Sequence, residues 1–369
     1  MIALLIATTA TRPLLLAHVM PWFERTSTTS GFHWKMNLTD EQVTQQGKIA
    51  SHYTPLTGSY DSLDRNVVEM QVQQIKLAGF DGIIADWYGP AKWYDYPIIH
   101  ARTKLLFEVA TRAGLSICVM YEDQTLRNAI KGNLIKPEEA DGYAREAGKW
   151  IQENWINQPN WLQLQGRKAL FVFGPQHLKK PGWDALLGAC GSPALLTEHL
   201  PTDSSSGVFD WPVPKEGLQF NFDFPRRMLS GKINVAVAYP RFHDWYKQGG
   251  QGEGYGVLPD EKGETYRNLL QAGIQSKADA IQVATWNDWQ EGTQIEPSKE
   301  FGVRDLISTQ VVRRQIDPEF KFQSKDLGLP TRLYELRKAG PWNTRHDQAS
   351  EALLKGDINL ARSLIPASE

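Results

Sequence analysis

Short apolar runs recur along this chain at strand length, and most neighbouring pairs of runs enclose a segment of helical periodicity. The runs fall at residues 14–20, 82–86, 116–121, 169–173, 194–198, 208–211, 234–239 and 280–286. Helical patterns lie at 64–78, 103–113, 140–153 and 263–272. In the first of these, Val67, Val68, Met70, Val72, Ile75 and Leu77 share one face at mostly helical spacing. Strands that alternate with helices need parallel pairing, and eight of them predict a (β/α)8 TIM barrel. The sixth run is the least regular, because Asp210-Trp-Pro-Val-Pro214 interrupts it. An open doubly wound sheet is the alternative, but no glycine-rich phosphate turn follows the first strand.

At 369 residues the chain holds such a barrel with sequence left over. Beyond Glu300 it turns to charged helix at 332–339 and 348–365, the latter broken at Gly356-Asp357. The expected division is a leader at 1–12, a catalytic barrel at 13–340 and a C-terminal helical cap at 341–369. The leader, Met1-Ile-Ala-Leu-Leu-Ile-Ala-Thr-Thr-Ala10, has the apolar core and small-residue end of a secretory signal without its positive start. A secreted or periplasmic protein is the expectation drawn from it; an unstructured lead-in to the first strand is the other reading.

Charge and cysteine usage exclude several classes. With 40 basic and 42 acidic side chains there is no cationic excess to grip a nucleic acid backbone. No run of 18 apolar residues is present, so no membrane span is expected. Cys118 and Cys190 are too few for a disulfide framework or a four-cysteine zinc site, and the eight histidines show no metal-binding spacing. A monomer is expected. The excess lies in aromatics: 13 Trp, 12 Tyr and 14 Phe, many beside Gly, Pro, Asp or Asn. Flat rings in such settings stack on the C–H faces of sugars, although a Trp-rich core has the same composition.

In a barrel of this type the chemistry sits on the loops after the strands' C-terminal ends. Those ends carry His18 and Trp22; Asp86, Trp87 and Tyr88; Glu122; Glu198 and His199; Asp210 and Trp211; and Trp286 to Glu291. Asp288 and Glu291 lie three residues apart between Trp286 and Trp289. Glycoside hydrolysis needs one carboxyl to protonate the leaving oxygen and a second to assist at the anomeric carbon, and aromatic walls raise a carboxylic acid towards its working range. A polar rim turn capped by the two acids is the structural alternative.

The segment Trp286-Asn-Asp-Trp-Gln-Glu-Gly-Thr-Gln-Ile-Glu-Pro297 resembles the signature Trp-Asn-Glu-Trp-His-Glu-Gly-Thr-Gln-Ile-Glu of glycoside hydrolase family 99, the endo-α-1,2-mannosidases and endo-α-mannanases. His52-Tyr-Thr-Pro-Leu-Thr-Gly-Ser-Tyr-Asp61 resembles that family's His-Tyr-His-Pro-Leu-x-Gly-x-Tyr-Asp-Ser, and Met20-Pro-Trp-Phe23 and Tyr121-Glu122 add further matches. The resemblance implies a (β/α)8 fold, an oligosaccharide or polysaccharide substrate, retention of configuration and no metal or organic cofactor. It implies that the sugar's own 2-hydroxyl attacks, giving a 1,2-anhydro intermediate. Asp288 then takes the role of base towards that hydroxyl and Glu291 that of general acid and later base. Glu122 corresponds to a carboxylate near the cleaved sugar, and Tyr60 and Asp61 fall in a loop with a substrate role. His18, Trp22, Asp86, Trp87, Tyr88, Trp211, Tyr255, Trp286, Asn287 and Trp289 are the further expected substrate contacts, with Trp22, Trp87, Tyr88, Trp211 and Trp289 as the rings lining the cleft.

Two departures mark the chain. Asp288 stands where the family has Glu, one methylene shorter, and Gln290 stands where it has His. A base displaced by about an ångström can cost on the order of 10²-fold in rate. A glycosidase for another α-linked polysaccharide, or a carbohydrate-binding protein without turnover, are the alternatives this leaves. The run Gly249-Gly-Gln-Gly-Glu-Gly-Tyr-Gly256 lacks the register and following helix of a dinucleotide turn. It is expected as a loop over the cleft, with Tyr255 reaching the ligand.

Overall fold

The computed structural model describes residues 12–366; the signal-like segment Met1–Ala10 lies outside them. Eight parallel strands close into a barrel: β1 (Leu14–Val19), β2 (Gly82–Trp87), β3 (Ser116–Tyr121), β4 (Arg167–Val172), β5 (Ala194–Glu198), β6 (Gly207–Phe209), β7 (Ile233–Ala238) and β8 (Ala280–Val283). β8 pairs with β1 through Leu14↔Ala280 to Ala17↔Val283. β3 closes on β4 through Met120↔Phe171 and Tyr121↔Val172. Closure excludes the open doubly wound sheet.

The strands are apolar on both sides because one face packs inside the barrel and the other against helices. β7, Ile-Asn-Val-Ala-Val-Ala, is buried at all six positions. Gly207 opens β6 where the sheet is tightest: a Cβ there would lie 2.1 Å from the carbonyl oxygen of Ile233. β6 is shorter than its apolar run, since Pro212 and Pro214 cannot donate to a ladder. β8 ends at Val283, three residues earlier than its run; Ala284 N–H still donates to Ala238 of β7 and Trp286 N–H to His18 of β1, while Thr285 N–H turns to Thr293 in the loop.

The outer helices are α1 (Arg65–Ala78), α2 (Tyr96–Ala113), α3 (Ala140–Asn154), α4 (Lys180–Ala189), α5 (Glu264–Ser276) and α6 (Arg304–Ile316). Asp64 caps α1 by accepting from Asn66 N–H, and Gly79 ends it in the left-handed region at φ 100°. α2 begins earlier than its apolar periodicity, with Pro97 in its first turn. No helix separates β5 from β6; residues 199–206 cross over as a loop.

Three further helices, α7 (Leu329–Ala339), α8 (Thr344–Lys355) and α9 (Ile358–Leu364), follow the barrel: α7 and α8 pack on α1, α8 also touches α2, and α9 packs on α8. Their anchor is Glu69 of α1, which accepts from Arg337 at 2.8 Å, Ser350 at 2.6 Å and Arg112 of α2 at 2.8 Å. Among the described residues no helix is long and apolar enough to cross a membrane.

Candidate active site

The C-terminal ends of the strands open into a cavity of about 910 Å³. Six acids from five sectors of the barrel line it: Asp86 from β2, Glu122 after β3, Glu198 at the end of β5, Glu253 on the loop after β7, and Asp288 and Glu291 after β8.

The loop after β8 is held from several sides. Asn287 grips the backbone of Met20, its Oδ1 accepting at 2.8 Å and its Nδ2 donating at 3.0 Å. Asp288 N–H donates to Thr285 Oγ1 at 2.6 Å, and Asp288 Oδ1 accepts from Glu291 N–H at 3.0 Å. Beyond Glu291, the buried Arg241 donates to the carbonyls of Gly292 and Gln294 while it pairs with Asp260 and Asp305. The tight turn turns Asp288, Gln290 and Glu291 into the cavity.

These two acids hold protons unequally. Burial pushes Asp288 up to about 7, against the backbone N–H groups of Glu291 and Gln290 that favour its ionised form. Glu291 rises well above the carboxylate range, first through burial and then through the charge of Asp288, although Tyr246 donates to its Oε1 at 2.9 Å. Of the two, Glu291 holds its proton the more tightly. Across the cavity Asp86 and Glu122 form a second pair of neighbouring acids. Burial takes Glu122 up to about 8, and burial and the charge of Glu122 take Asp86 well above its usual range. Burial also raises Glu198, whose Oε1 lies 3.5 Å from Nε2 of His199. That histidine is oriented by Asp210 at 2.9 Å, and Arg227 holds Asp210 at 2.8 Å.

Aromatic and neutral polar groups complete the walls. Trp22 stacks on His33 at 4.3 Å, Tyr88 stacks on Tyr96 at 5.2 Å, and Trp211 meets the edge of His18 at 5.0 Å. His18 is fully buried with both ring nitrogens unpartnered, and burial lowers its pKa to about 3, so it faces the cavity uncharged. Tyr255 lines the rim and is half exposed. Its loop is tied down by Asp244, which accepts from the backbone N–H of Tyr246 and of Tyr255.

Of the residues expected in the cleft, Asp288, Glu291, Glu122, His18, Trp22, Asp86, Tyr88, Trp211 and Tyr255 come together in this cavity. Six others do not line it. Trp87 faces outward into a cluster with Trp150, Trp155 and Tyr121 and donates to His100 Nδ1 at 3.0 Å. Asp86 and Trp87 are strand neighbours, so only one of them can face inward. Trp286 and Trp289 are fully buried behind the loop. Trp289 Nε1 and Tyr60 O–H both donate to Glu296, which Gln71 of α1 also engages. Asp61 holds Arg102, which in turn donates to the carbonyl of Trp22. Asn287 is spent on Met20. Their work is to carry the loops that carry the site.

Glu198, Tyr246, His33 and Gln124 also reach the cavity and were not among the expected contacts. Glu198 had a signal, its place at a strand end. Tyr246 and His33 sit in long connections where no local pattern distinguishes them. Among the described residues no group of three or more His, Cys, Asp or Glu is placed to hold a metal ion.

No known family model matches the sequence. The chain is 22% identical over 275 residues to a glycoprotein endo-alpha-1,2-mannosidase-like protein of Danio rerio, covering 67% of this chain and 60% of the relative. It is 22% identical over 304 residues to the glycoprotein endo-alpha-1,2-mannosidase of Mus musculus, covering 72% and 61%. The chain thus spans about three fifths of the length of the curated relatives it matches. In three dimensions it resembles an endo-α-mannosidase of glycoside hydrolase family 99 from Bacteroides thetaiotaomicron, with a TM-score of 0.63 at 17% identity over 83% of this chain and 97% of that one. A glycoside hydrolase-like protein superposes with a TM-score of 0.58 at 12% identity, covering 83% and 94%. At these identities the likeness is one of fold, the (β/α)8 barrel.

Proposed function

We propose that this chain is a glycoside hydrolase of the family-99 endo-α-mannosidase type, acting within an α-mannan or a mannose-containing glycan with retention of configuration. The observation that carries the reading is the Asp288–Glu291 pair: two buried acids of unequal proton affinity beside a cavity of sugar-binding size with aromatic walls. The signature around them and the relatives named as endo-α-1,2-mannosidases support it.

In the first step Asp288 removes the proton of the sugar's 2-hydroxyl, and that oxygen attacks the anomeric carbon as the glycosidic bond breaks. Glu291 gives its proton to the departing oxygen, leaving a 1,2-anhydro sugar and a carboxylate that the Tyr246 O–H steadies. In the second step Glu291 takes a proton from water, whose oxygen opens the three-membered ring at the anomeric carbon. Asp288 returns its proton to the 2-oxygen. Two inversions give net retention.

The shortened base favours one second reading, a carbohydrate-binding protein, since Asp288 is one methylene shorter than the family's residue and one of its oxygens is engaged by Glu291 N–H. Incubation with α-linked mannans and glucans, with products followed by chromatography and their anomeric form by NMR, separates the outcomes. Oligosaccharides released first as the α-anomer are expected from mannan. Cleavage of a glucan alone changes the substrate, and binding without turnover by both wild type and Asp288→Glu gives the binding protein.

A further inference from the structure

Gln290 is 3% exposed, and its two amide atoms are treated differently by their surroundings. Its Oε1 lies 2.8 Å from Nδ1 of His33. A carbonyl oxygen only accepts, so Nδ1 carries the proton. Burial lowers the pKa of His33 to about 4, so its ring is neutral and fixed in this tautomer. The ring is also clamped, lying parallel to Trp22 at 4.3 Å. The main chain of Gln290 is pinned where its carbonyl accepts from Trp245 N–H at 2.8 Å. Its Nε2, by contrast, is buried with no hydrogen-bond partner, and the side chain lines the cavity between Asp288 and Glu291. An unpaired buried N–H costs about 1–3 kcal/mol unless a ligand satisfies it. Trp22 Nε1, on the ring stacked against the same histidine, is buried and unpartnered as well.

We propose that Gln290, aimed by His33, is a specificity-determining donor whose Nε2–H reads a hydroxyl oxygen of the sugar held between Asp288 and Glu291. His33 is the positioning residue: by donating to Oε1 it decides which end of the amide meets the sugar. The inference rests on the glycosidase reading and names one contact within it. A glutamine gives that donor without a charge, so the contact holds whether or not the nearby acids are ionised.

Binding of a methyl α-mannobioside and its monodeoxy series, measured by calorimetry on Glu291→Gln protein, tests this without turnover. Adding Gln290→Met, close in shape but without a donor, should weaken the parent disaccharide about 5-fold, the size of one neutral hydrogen bond. The deoxy analogue lacking the matching hydroxyl should lose the same factor against unaltered Gln290 and nothing further against Met. His33→Phe, which keeps the stack on Trp22 and removes the N–H, should blur that discrimination. His33→Asn, whose amide can stand in for Nδ1–H, should restore it. Equal discrimination across the deoxy series with Gln290 and with Met overturns the inference and leaves the glycosidase reading standing. If the Glu291→Gln protein binds no α-mannoside, the mannan-directed reading falls and the inference with it.

Discussion

Asp288 has one oxygen occupied by the Glu291 amide and the other available to a substrate, so its reach depends on how deep the sugar sits. A longer side chain at this position extends the free oxygen further into the cavity without altering its charge. Asp288→Glu is expected to keep or raise activity on α-mannan, while Asp288→Asn, with no base, should lose about 10³-fold in kcat. A 2-deoxy or 2-fluoro substrate should bind and resist cleavage; its rapid turnover, or a covalent sugar–Asp288 adduct, would remove the anhydro route. Because Asp288 must be ionised and Glu291 protonated, kcat/KM should climb through about pH 7 and fall again as Glu291 ionises at higher pH. Glu291→Gln should abolish the descending limb on substrates whose leaving group needs no proton, and suppress turnover of natural glycans far more than of these. Equal losses on both substrates would take the acid role away from Glu291.

At the scale of elements, strand alternation decides which aromatic touches sugar. Along β2 and its exit Asp86 faces the cavity, Trp87 faces α2 and α3, and Tyr88 returns to the cavity. Trp87→Ala should therefore cost about 4 kcal/mol of stability, the range for emptying a buried tryptophan site. Tyr88→Ala, which removes a partly exposed ring lining the cavity, should instead weaken sugar binding at a smaller cost in melting temperature. The reverse pattern would put Trp87 in the cleft. This distinction was within reach for Trp87, because the period-2 rule applies inside a strand. It was not for Trp286 and Trp289, which lie where the strand has ended and where the partners that bury Trp289, Glu296 and Tyr60, are set by tertiary contacts. The eight strands and the principal helices could be read from apolar period, since burial on both faces writes itself into composition. The bare β5–β6 crossover was legible as well, since its two runs stand close together and Pro201-Thr-Asp-Ser-Ser-Ser206 between them is loop composition. The docking of α7 to α9 turns on a buried charge: with Glu69 gone, the buried Arg337 keeps only its longer contact to the exposed Asp347 as a charged partner. Glu69→Gln should lower unfolding free energy by ~3 kcal/mol in denaturant titrations.

The whole molecule concentrates buried acid at one end of the barrel, and its stability should record this as a function of pH. Burial lifts Asp288 and Glu296 to about 7 and Glu122 to about 8, and lifts Asp86 and Glu291 well above their ordinary range. In the unfolded chain these carboxyls ionise near 4, so between there and the folded values the folded state holds protons that the unfolded state has lost. Each such proton makes stability fall as pH rises, by about 1.4 kcal/mol per pH unit. The buried histidines act in the opposite sense. His18 falls to about 3, and His33 and His100 to about 4, so below the unfolded value of 6.5 the unfolded chain binds protons these rings refuse, and stability rises with pH. The two effects oppose one another from about 4 to 6.5. Above 6.5 the histidines are neutral in both states and only the acids remain. The melting temperature should then drop steadily from pH 6.5 to about 8.5, and Glu122→Gln, which cannot ionise, should flatten that decline. A melting temperature that rises over the same interval would mean that the cavity holds its carboxylates ionised, and the unequal sharing of protons between Asp288 and Glu291 would lose its physical basis.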